Sequence, residues 1–310
     1  MIKTIGTNTS PTNFEGAAHT EDYSVILRQD TEIGVSFNLC DYECSYEELK
    51  FSETGAVVDD YKNDFTDLLF QLSLTTDTIT IELWECLASG DVLKATITDD
   101  TYGIYFAPSY FPDSKKVGFL ASWNKIFNAF GAGKYYFKSN RTLIGQADTL
   151  QTWNYKLQEF DEEKADNTVK IVSYKNGIIA RGVDYTGFTW RSEIRFKGVF
   201  GRPVETLEQK HYQTQDRIDK QNRDKITTVY TMETELTPYK VINPFVKDGL
   251  LANNMHITPY SLQAFLPTYK EINVAVNEIE EPTYYEQNTN RKNVISFRDK
   301  VGVPVKTNFN

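Results

Sequence analysis

Residues able to bind a transition metal or to act as nucleophiles are few and far apart in this sequence. There are three cysteines and three histidines, namely Cys40, Cys44, Cys86, His19, His211 and His256. Cys40 and Cys44 are close enough along the chain to share an ion, but no second pair of ligands follows them. We therefore expect reduced thiols, with no metal site and no cofactor.

The segment Phe130-Gly131-Ala132-Gly133-Lys134 has some features of a phosphate-binding loop. It lacks the full spacing of that motif, and no serine or threonine follows the lysine. It also follows a predicted helix, whereas a phosphate-binding loop joins a strand to the helix after it. The two glycines are better explained as the end of that helix.

Glu82 and Glu85 lie on either side of Trp84, an arrangement that could combine a sugar-binding platform with an acid. In a strand, however, Glu82 and Trp84 share one face and Glu85 lies on the other. Surface carboxylates beside a buried tryptophan explain the pattern equally well. The sequence motifs of zinc proteases, serine hydrolases and dithiol oxidoreductases are absent. We predict no catalytic residues, although a site assembled from distant loops stays open.

Composition and charge predict a globular protein with two unlike surfaces. The chain has 310 residues, of which 40% are hydrophobic and 14% aromatic. It lacks an 18-residue apolar run, which argues against a membrane span, and its first residues lack a signal-peptide core. Residues 1–100 carry 5 basic and 20 acidic side chains, a net charge of −15, whereas residues 101–310 carry +5. Contacts between neighbouring copies or simple solvation would explain this split equally well.

Hydrophobic periodicity predicts a mainly β fold, similar to a β-sandwich or barrel, with short helices and extended arms. The clearest strand is 188–200, where Trp190, Ile194 and Phe196 share one face. The charged residues of this strand fall on its opposite face, which we expect to be solvated: Arg191, Glu193, Arg195 and Lys197.

Two helices are predicted, and one segment is ambiguous. Apolar residues at three- and four-residue spacing predict an amphipathic helix over 113–130, starting at Asp113 or Ser114. Pro244 favours a shorter helix over 244–252. The apolar segment 64–74 is compatible with a strand or a short helix.

Residues 204–225 are unusually polar and hold ten residues of the Asp, Glu, Lys and Arg types. They predict two long polar strands or a strand–arm–strand excursion, with too little apolar surface to fold alone. A mobile solvated hairpin is the simpler alternative. We divide the chain into an extended N-terminal arm (1–20), an acidic β-rich domain with one helix (21–180) and a second β-rich domain (181–310). The second β-rich domain carries the long polar arm at about 204–225.

Residues 185–261, about a quarter of the chain, resemble structural proteins of tailed phages that infect Bacteroidetes. The resemblance lies in the run TGFTWRSEIRFKGVFGRPVETLEQKHYQTQDRIDKQNRDKITTVYTMETELTPY and in LLANNMHITPYS. In particular, the segment is similar to tail-hub or ring components of crAss-like phages. It is an overall pattern and contains no catalytic signature.

This resemblance implies a virion tail protein that is made in the cytoplasm of the host bacterium. It implies a cyclic oligomer around the channel through which DNA leaves, in contact with copies of itself and with other tail or portal-proximal proteins. DNA would pass without sequence-specific binding. The expected fold is a β-sandwich or barrel module with inserted arms, and no enzymatic role is expected.

We expect charged residues of the N-terminal part and of the polar arm to form the contacts between copies. They are Asp41, Glu43, Glu47, Glu48, Glu208, Lys210, Arg217, Lys220 and Arg223. The alternative function is a carbohydrate-binding, host-attachment module or a depolymerase-like enzyme of the tail.

Overall fold

A computed structural model of the chain describes most of residues 46–305 and the pair 3–4. The described ranges are 3–4, 46–56, 59–71, 78–110, 116–143, 146–177, 179–180, 183–186, 189–213, 219–238, 252, 254–261, 269–279, 283–284, 290–292, 294–299 and 303–305. Within them the fold is mainly β and holds two α-helices, which confirms the fold class predicted from sequence.

The first part of the described chain contains ten strands and one α-helix. They are β1 (Lys3–Thr4), β2 (Glu47–Ser52), β3 (Phe65–Gln71), β4 (Thr78–Glu85), β5 (Val92–Ile97), β6 (Gly103–Phe106), β7 (Lys116–Ser122), α1 (Trp123–Phe130), β8 (Gly133–Leu143), β9 (Gln146–Gln151) and β10 (Asn154–Glu159). Single 3₁₀ turns occur at Asp60–Lys62 and Pro108–Tyr110.

The second part begins with α2 and continues with thirteen strands. They are α2 (Glu162–Ala165), β11 (Thr168–Asn176), β12 (Ile179–Ala180), β13 (Val183–Asp184), β14 (Thr189–Phe200), β15 (Val204–Gln213), β16 (Asp219–Thr234), β17 (Thr237–Pro238), β18 (Asn254–Tyr260), β19 (Ile272–Ile279), β20 (Thr283–Tyr284), β21 (Asn290–Lys292), β22 (Val294–Asp299) and β23 (Val303–Val305).

The first part forms a sandwich of two sheets. One sheet has the order β1-β3-β7-β6, and the other has the order β2-β10-β8-β4-β5, with β9 beside β8. Their inner faces supply Leu68 and Phe119 from one sheet and Leu83 and Phe137 from the other, all fully buried. Trp123, the first residue of α1, packs among these aromatic side chains and donates from Nε1 to Thr66 Oγ1 at 2.8 Å.

The second part forms a six-stranded antiparallel barrel. Strands β14, β11, β18, β19, β22 and β16 pair in that order, and a short pairing between β14 and β16 closes the ring. Alternate residues fill the interior, as the period of two requires. Ile171, Phe196, Met232, Ile257 and Phe297 are among these buried residues.

The predicted helix over 113–130 is wrong in its first half. Residues 116–122 form β7, and α1 begins only at Trp123, where the Ser122 hydroxyl accepts from the Lys125 amide. β7 is buried on both faces from Val117 to Ser122. It therefore lacks alternation, and a continuous apolar run does not distinguish a strand from a helix. The predicted helix over 244–252 falls on residues outside the described ranges, apart from Ala252.

Three other expectations can be compared with the fold. The ambiguous segment after residue 63 is a strand, β3. Of the N-terminal arm, Lys3 and Thr4 pair with β3, and the rest lies outside the described residues. β11 pairs with β14 along its whole length, so the barrel sheet crosses residue 180, where the sequence predicts a domain boundary.

The closure of the barrel depends on Gly198. A Cβ atom there would lie 2.6 Å from the Glu233 carbonyl oxygen of the paired strand. We expect Gly198→Ala to lower the free energy of unfolding by about 1–3 kcal/mol, since the β14–β16 backbones must move apart. Chemical denaturation measures the loss. Gly201→Ala is the matched control, because its Cβ would meet nothing closer than 3.6 Å. Equal losses for both variants would contradict this explanation.

Candidate functional site

The sandwich and the barrel meet at one edge of β14, where carboxylates replace a neighbouring strand. On its other edge β14 pairs with β11, so the amides of Glu193 and Arg195 point away from the barrel sheet. The Glu193 amide donates to Asp67 Oδ1 at 3.2 Å, and the Arg195 amide donates to Glu48 Oε1 at 3.0 Å. Asp67 belongs to β3 and Glu48 to β2, so both sheets of the sandwich bind this edge.

Carboxylates also accept amides of the sandwich strands β2 and β3. The Phe51 amide at the edge of β2 donates to Asp64 Oδ2 at 2.8 Å. The Phe65 amide at the start of β3 donates to Glu193 Oε1 at 2.8 Å. A buried amide without an acceptor costs free energy comparable to a lost hydrogen bond, so each carboxylate satisfies a group that a strand would otherwise satisfy.

Four basic side chains compensate three of these buried carboxylates, and the fourth, Asp67, accepts a hydrogen bond from the Ser192 hydroxyl at 2.8 Å. Arg195 forms a two-point contact with Asp64, from Nε at 2.9 Å and from Nη2 at 2.7 Å. Lys50 lies 2.7 Å from Glu48, and Arg191 lies 2.7 Å from Glu193. Lys170 Nζ lies 3.9 Å from Asp64 and donates to the Asp60 carbonyl at 2.7 Å.

Aromatic rings complete the enclosure of this junction. The Arg195 guanidinium lies over the rings of Tyr260 and Phe51, with distances to the ring centroids of 4.2 and 4.9 Å. Trp153 donates from Nε1 to Glu48 Oε2 at 3.1 Å. Trp190 donates to Asp67 Oδ2 at 3.4 Å. We call the four carboxylates, Glu48, Asp64, Asp67 and Glu193, with Lys50, Lys170, Arg191 and Arg195, the charged junction.

The electrostatics of the charged junction favour the ionised forms. Burial alone would raise the pKa of Asp64, but Arg195 and then Lys170 outweigh it and hold that pKa at about 2. Burial alone would lower the pKa of Arg195, but the Asp64 carboxylate outweighs it, and the pKa is raised. The pKa of Lys170 is likewise raised despite burial, by Tyr260, Glu193 and Asp64.

A groove of about 250 Å³ opens beside the charged junction, between the edges of β2 and β14. Tyr46, Glu47 and Leu49 line one side of it, and Lys197 lines the other with the turn at 235–237. Glu47 is paired with Lys134 at 2.5 Å. The groove is therefore lined by paired charges and apolar side chains.

The structure brings only part of the predicted interface set to the described surface. Glu47 is half-exposed at the rim of the groove. The prediction for Glu48 is wrong: its side chain is 1% exposed and its partners are Lys50, Trp153 and the Arg195 amide. A strand edge that needed an acceptor placed it inside. Asp41, Glu43 and Arg217 lie outside the described residues.

Glu208, Lys210, Lys220 and Arg223 lie on a long two-stranded ribbon. β15 and β16 pair antiparallel from Val204 opposite Val229 to Gln213 opposite Asp219, with a bulge after Lys210. This agrees with the prediction of two long polar strands. β23 pairs with β16 at residues 224–226, and in the described chain residues 219–223 pair with β15 alone.

The candidate sugar platform is organised as part of a sheet surface. Trp84 is half-buried, stacks in parallel on Tyr136 and has the Lys138 ammonium over its ring at 5.2 Å. Its Nε1 donates to Glu82 Oε2 at 2.9 Å. Glu85 lies on the opposite face, paired with Lys94 at 2.8 Å. The two carboxylates therefore do not face each other across a groove.

The other candidates for chemistry have structural partners. Gly131 ends α1 with a φ of 82°, and its amide donates to the Phe127 carbonyl, as helix capping predicts. The Cys86 thiol lies 3.5 Å from Asn154 Oδ1. His256 pairs with Glu271 through Nδ1. Within the described ranges no three potential ligands converge on a metal position.

The described part of the chain contains no helix with the length and apolar character to cross a bilayer.

Sequence reasoning missed the charged junction. It identified Glu193 and Arg195 as charged positions of β14 but placed them in solvent, whereas they are 1% and 2% exposed. Asp64, Asp67 and Lys170 were not singled out at all. The available signal was a charge inside a strand that has apolar residues on both faces, as at Lys170, with Val169 and Ile171 on the opposite face and Val172 on its own.

Comparisons with known proteins identify no family for this chain. No family model matches it, and no curated protein matches it. Among solved structures, a crystal structure of a chicken T-cell receptor is similar over 81% of this chain and 85% of the receptor chain, with 8% sequence identity and a TM-score of 0.22.

The charged junction predicts strong coupling between Asp64 and Arg195. Arg195→Met removes both hydrogen bonds of the guanidinium to the buried Asp64 carboxylate and leaves the more distant Lys170 as its compensating charge, so we expect the free energy of unfolding to fall by about 3–5 kcal/mol. Asp64→Asn also destabilises, and Asp64→Asn with Arg195→Met should cost clearly less than the sum of the two. Denaturant titration of the four proteins gives the coupling. Additive losses would show that the contact is not a unit.

The low pKa of Asp64 predicts an acid-dependent loss of stability. A depressed carboxyl pKa contributes stability above the unfolded pKa near 4, and this is lost as the pH falls through about 2. The contribution is about 2 kcal/mol. Denaturation between pH 5 and pH 2 should show a shallower pH dependence for Asp64→Asn than for the parent chain. Asp60→Asn, at an exposed carboxyl nearby, should keep the parent slope. A parent slope in Asp64→Asn would contradict the assignment.

Proposed function

We propose that this chain is a virion structural protein of a tailed bacteriophage. In this proposal it is a tail hub or ring component, made in the host cytoplasm, that assembles as a cyclic oligomer around the DNA-ejection channel. Its partners are copies of itself and other tail or portal-proximal proteins. DNA passes through without sequence-specific binding, and the chain has no catalytic role.

The β15–β16 ribbon is the observation that carries the proposal. In its outer half, residues 219–223 of β16 pair with β15 alone among the described residues. Isolated two-stranded ribbons are marginally stable in water. Its sequence is too polar to bury a core of its own. A ribbon of this kind gains stability when it adds to another subunit, as arms of ring proteins do.

The charged junction supports the same proposal from the mechanical side. It joins the sandwich and the barrel through seven buried ionic side chains and the half-buried Arg191, and their contacts are directional. Such contacts fix the relative orientation of two modules better than apolar packing, which tolerates sliding. A ring subunit needs this fixed geometry, because small angular errors accumulate around a closed cycle.

The resemblance of residues 185–261 to tail-hub and ring components also supports the proposal of a tail assembly. That segment contains β14, the whole ribbon and β18, which include the barrel seam and the candidate arm. The uneven charge supplies a head-to-tail contact, since the acidic N-terminal third of one copy complements the remainder of the next.

Native mass tests the proposal. We expect light scattering at low ionic strength to show a closed oligomer, which becomes smaller as salt screens the contacts. Deletion of residues 208–223 should give a smaller or less stable assembly while the barrel still unfolds cooperatively. Rings of unchanged size and stability after the deletion would contradict the role of the ribbon.

A monomer that also fails to assemble with virion partners would contradict the ring itself. In that case binding to bacterial surface glycans would decide for the host-attachment alternative. Trp84→Ala then serves as the test variant, because Trp84 is the half-buried aromatic residue of the outer sheet face.

A further inference from the structure

The register of the β15–β16 ribbon separates its residues by charge into two faces. Paired residues of antiparallel strands share a face, and each strand alternates with a period of two. Lys210 is paired with Arg223, and Glu208 with Lys225. Beyond the bulge, Tyr212 is paired with Lys220.

One face of the ribbon therefore holds four basic positions, one acidic position and one tyrosine. We call it the basic face; its members are Glu208, Lys210, Tyr212, Lys220, Arg223 and Lys225. The other face holds two aspartates with amide and histidine positions: Gln209, His211, Gln213, Asp219, Gln221 and Asp224.

The arrangement of the basic face is unfavourable in an isolated ribbon. Lys210 and Arg223 are directly opposite each other, and like charges at such positions destabilise a strand pair. The bulge after Lys210 brings Lys220 onto the same face as well. A partner of opposite charge would remove this cost.

The sandwich carries a surface of the opposite sign. Residues 159–164, between β10 and the end of α2, hold four exposed acidic side chains and one lysine: Glu159, Asp161, Glu162, Glu163 and Lys164. We call this segment the acidic turn. Its net charge of −3 matches the +3 of the basic face in magnitude.

The acidic turn is also less neutralised than three other acidic positions of the sandwich, each of which has a lysine partner. Asp59 pairs with Lys62, Glu47 with Lys134, and Glu85 with Lys94. Within the described ranges no ion pair joins Glu162 or Glu163 to a basic side chain. Both residues are exposed in the first turn of α2, and the Asp161 side chain accepts the amides of Glu163 and Lys164, which fixes the backbone of the turn.

We infer that the basic face of the ribbon docks on the acidic turn of a second copy of this chain. The inference rests on the proposed ring and specifies its contact. When this contact repeats head to tail, the ribbon of each copy binds one neighbour and its acidic turn is bound by the ribbon of the other neighbour. This is the condition for a heterologous ring. The aspartate face of the ribbon then points away from the contact.

Two complementary charge reversals test this contact. The first variant is Lys210→Glu with Arg223→Glu, and the second is Glu162→Lys with Glu163→Lys. Each alone should associate about tenfold or more weakly than the parent at low ionic strength, measured by light scattering over a concentration series. An equimolar mixture should regain the parent assembly, because each ribbon then meets a turn of opposite charge.

A matched reversal on the other face is the control. Asp219→Lys with Asp224→Lys changes the ribbon charge by four units as well, in the positive direction, and it should leave assembly within about twofold of the parent. Parent-like assembly by both test variants, or a mixture that does not recover, would overturn the contact while leaving a ring through another surface. A parent chain that stays monomeric at every salt concentration would overturn both.

Nucleic acid is the alternative binding partner for the basic face of the ribbon. Fluorescence anisotropy with a labelled DNA duplex, at the same ionic strength, distinguishes it. We expect no binding by the parent at concentrations where it assembles. Duplex binding that is lost in Lys210→Glu with Arg223→Glu, without loss of assembly, would overturn the inference in favour of a phosphate contact.

Discussion

The unpaired edge of β14 sets the constraint on which the rest of the structure depends. The barrel closes through a short pairing at Gly198–Phe200, so among the described residues the part of β14 before it has no strand beside one of its edges. Glu48 and Asp67 of the charged junction answer that constraint by accepting amides of β14. Asp64 and Glu193 accept amides of β2 and β3 in return. Because buried carboxylates must be compensated, the four basic side chains follow from the same requirement.

Other features are arranged around this junction. The sandwich has to bring β2 and β3 to β14. Trp190 of β14 donates to Asp67 of β3, and Trp153 orients the Glu48 carboxylate of β2. After β14 the chain passes through residues 201–203 and continues as β15. Both β14 and β15 pair with the same strand, β16. The ribbon therefore extends the β14–β16 pairing that closes the barrel. Its direction is fixed by β14, the strand that the charged junction contacts.

The sequence predicted features that depend on local alternation. The strand at 188–200 follows from a period of two, and the structure contains it as β14. The polarity of residues 204–225 gave two long polar strands as one alternative, and β15 and β16 have that form. β7 was mistaken for a helix because both of its faces are buried, which removes alternation. The charged junction was missed for a non-local reason. Asp64 and Arg195 are 131 residues apart, and nothing local distinguishes a carboxylate that will cap a strand edge from one in solvent.

Hydrogen exchange tests the central claim most directly. If carboxylates replace a strand at the junction, the amides of Phe51, Phe65, Glu193 and Arg195 are protected as strongly as ladder amides of β14 such as Ile194. Native-state exchange followed by NMR should show this. Glu48→Gln should speed exchange of the Arg195 amide while leaving that of Ile194 close to the parent rate. Exchange of the four amides at the rate of an open strand edge would contradict the claim.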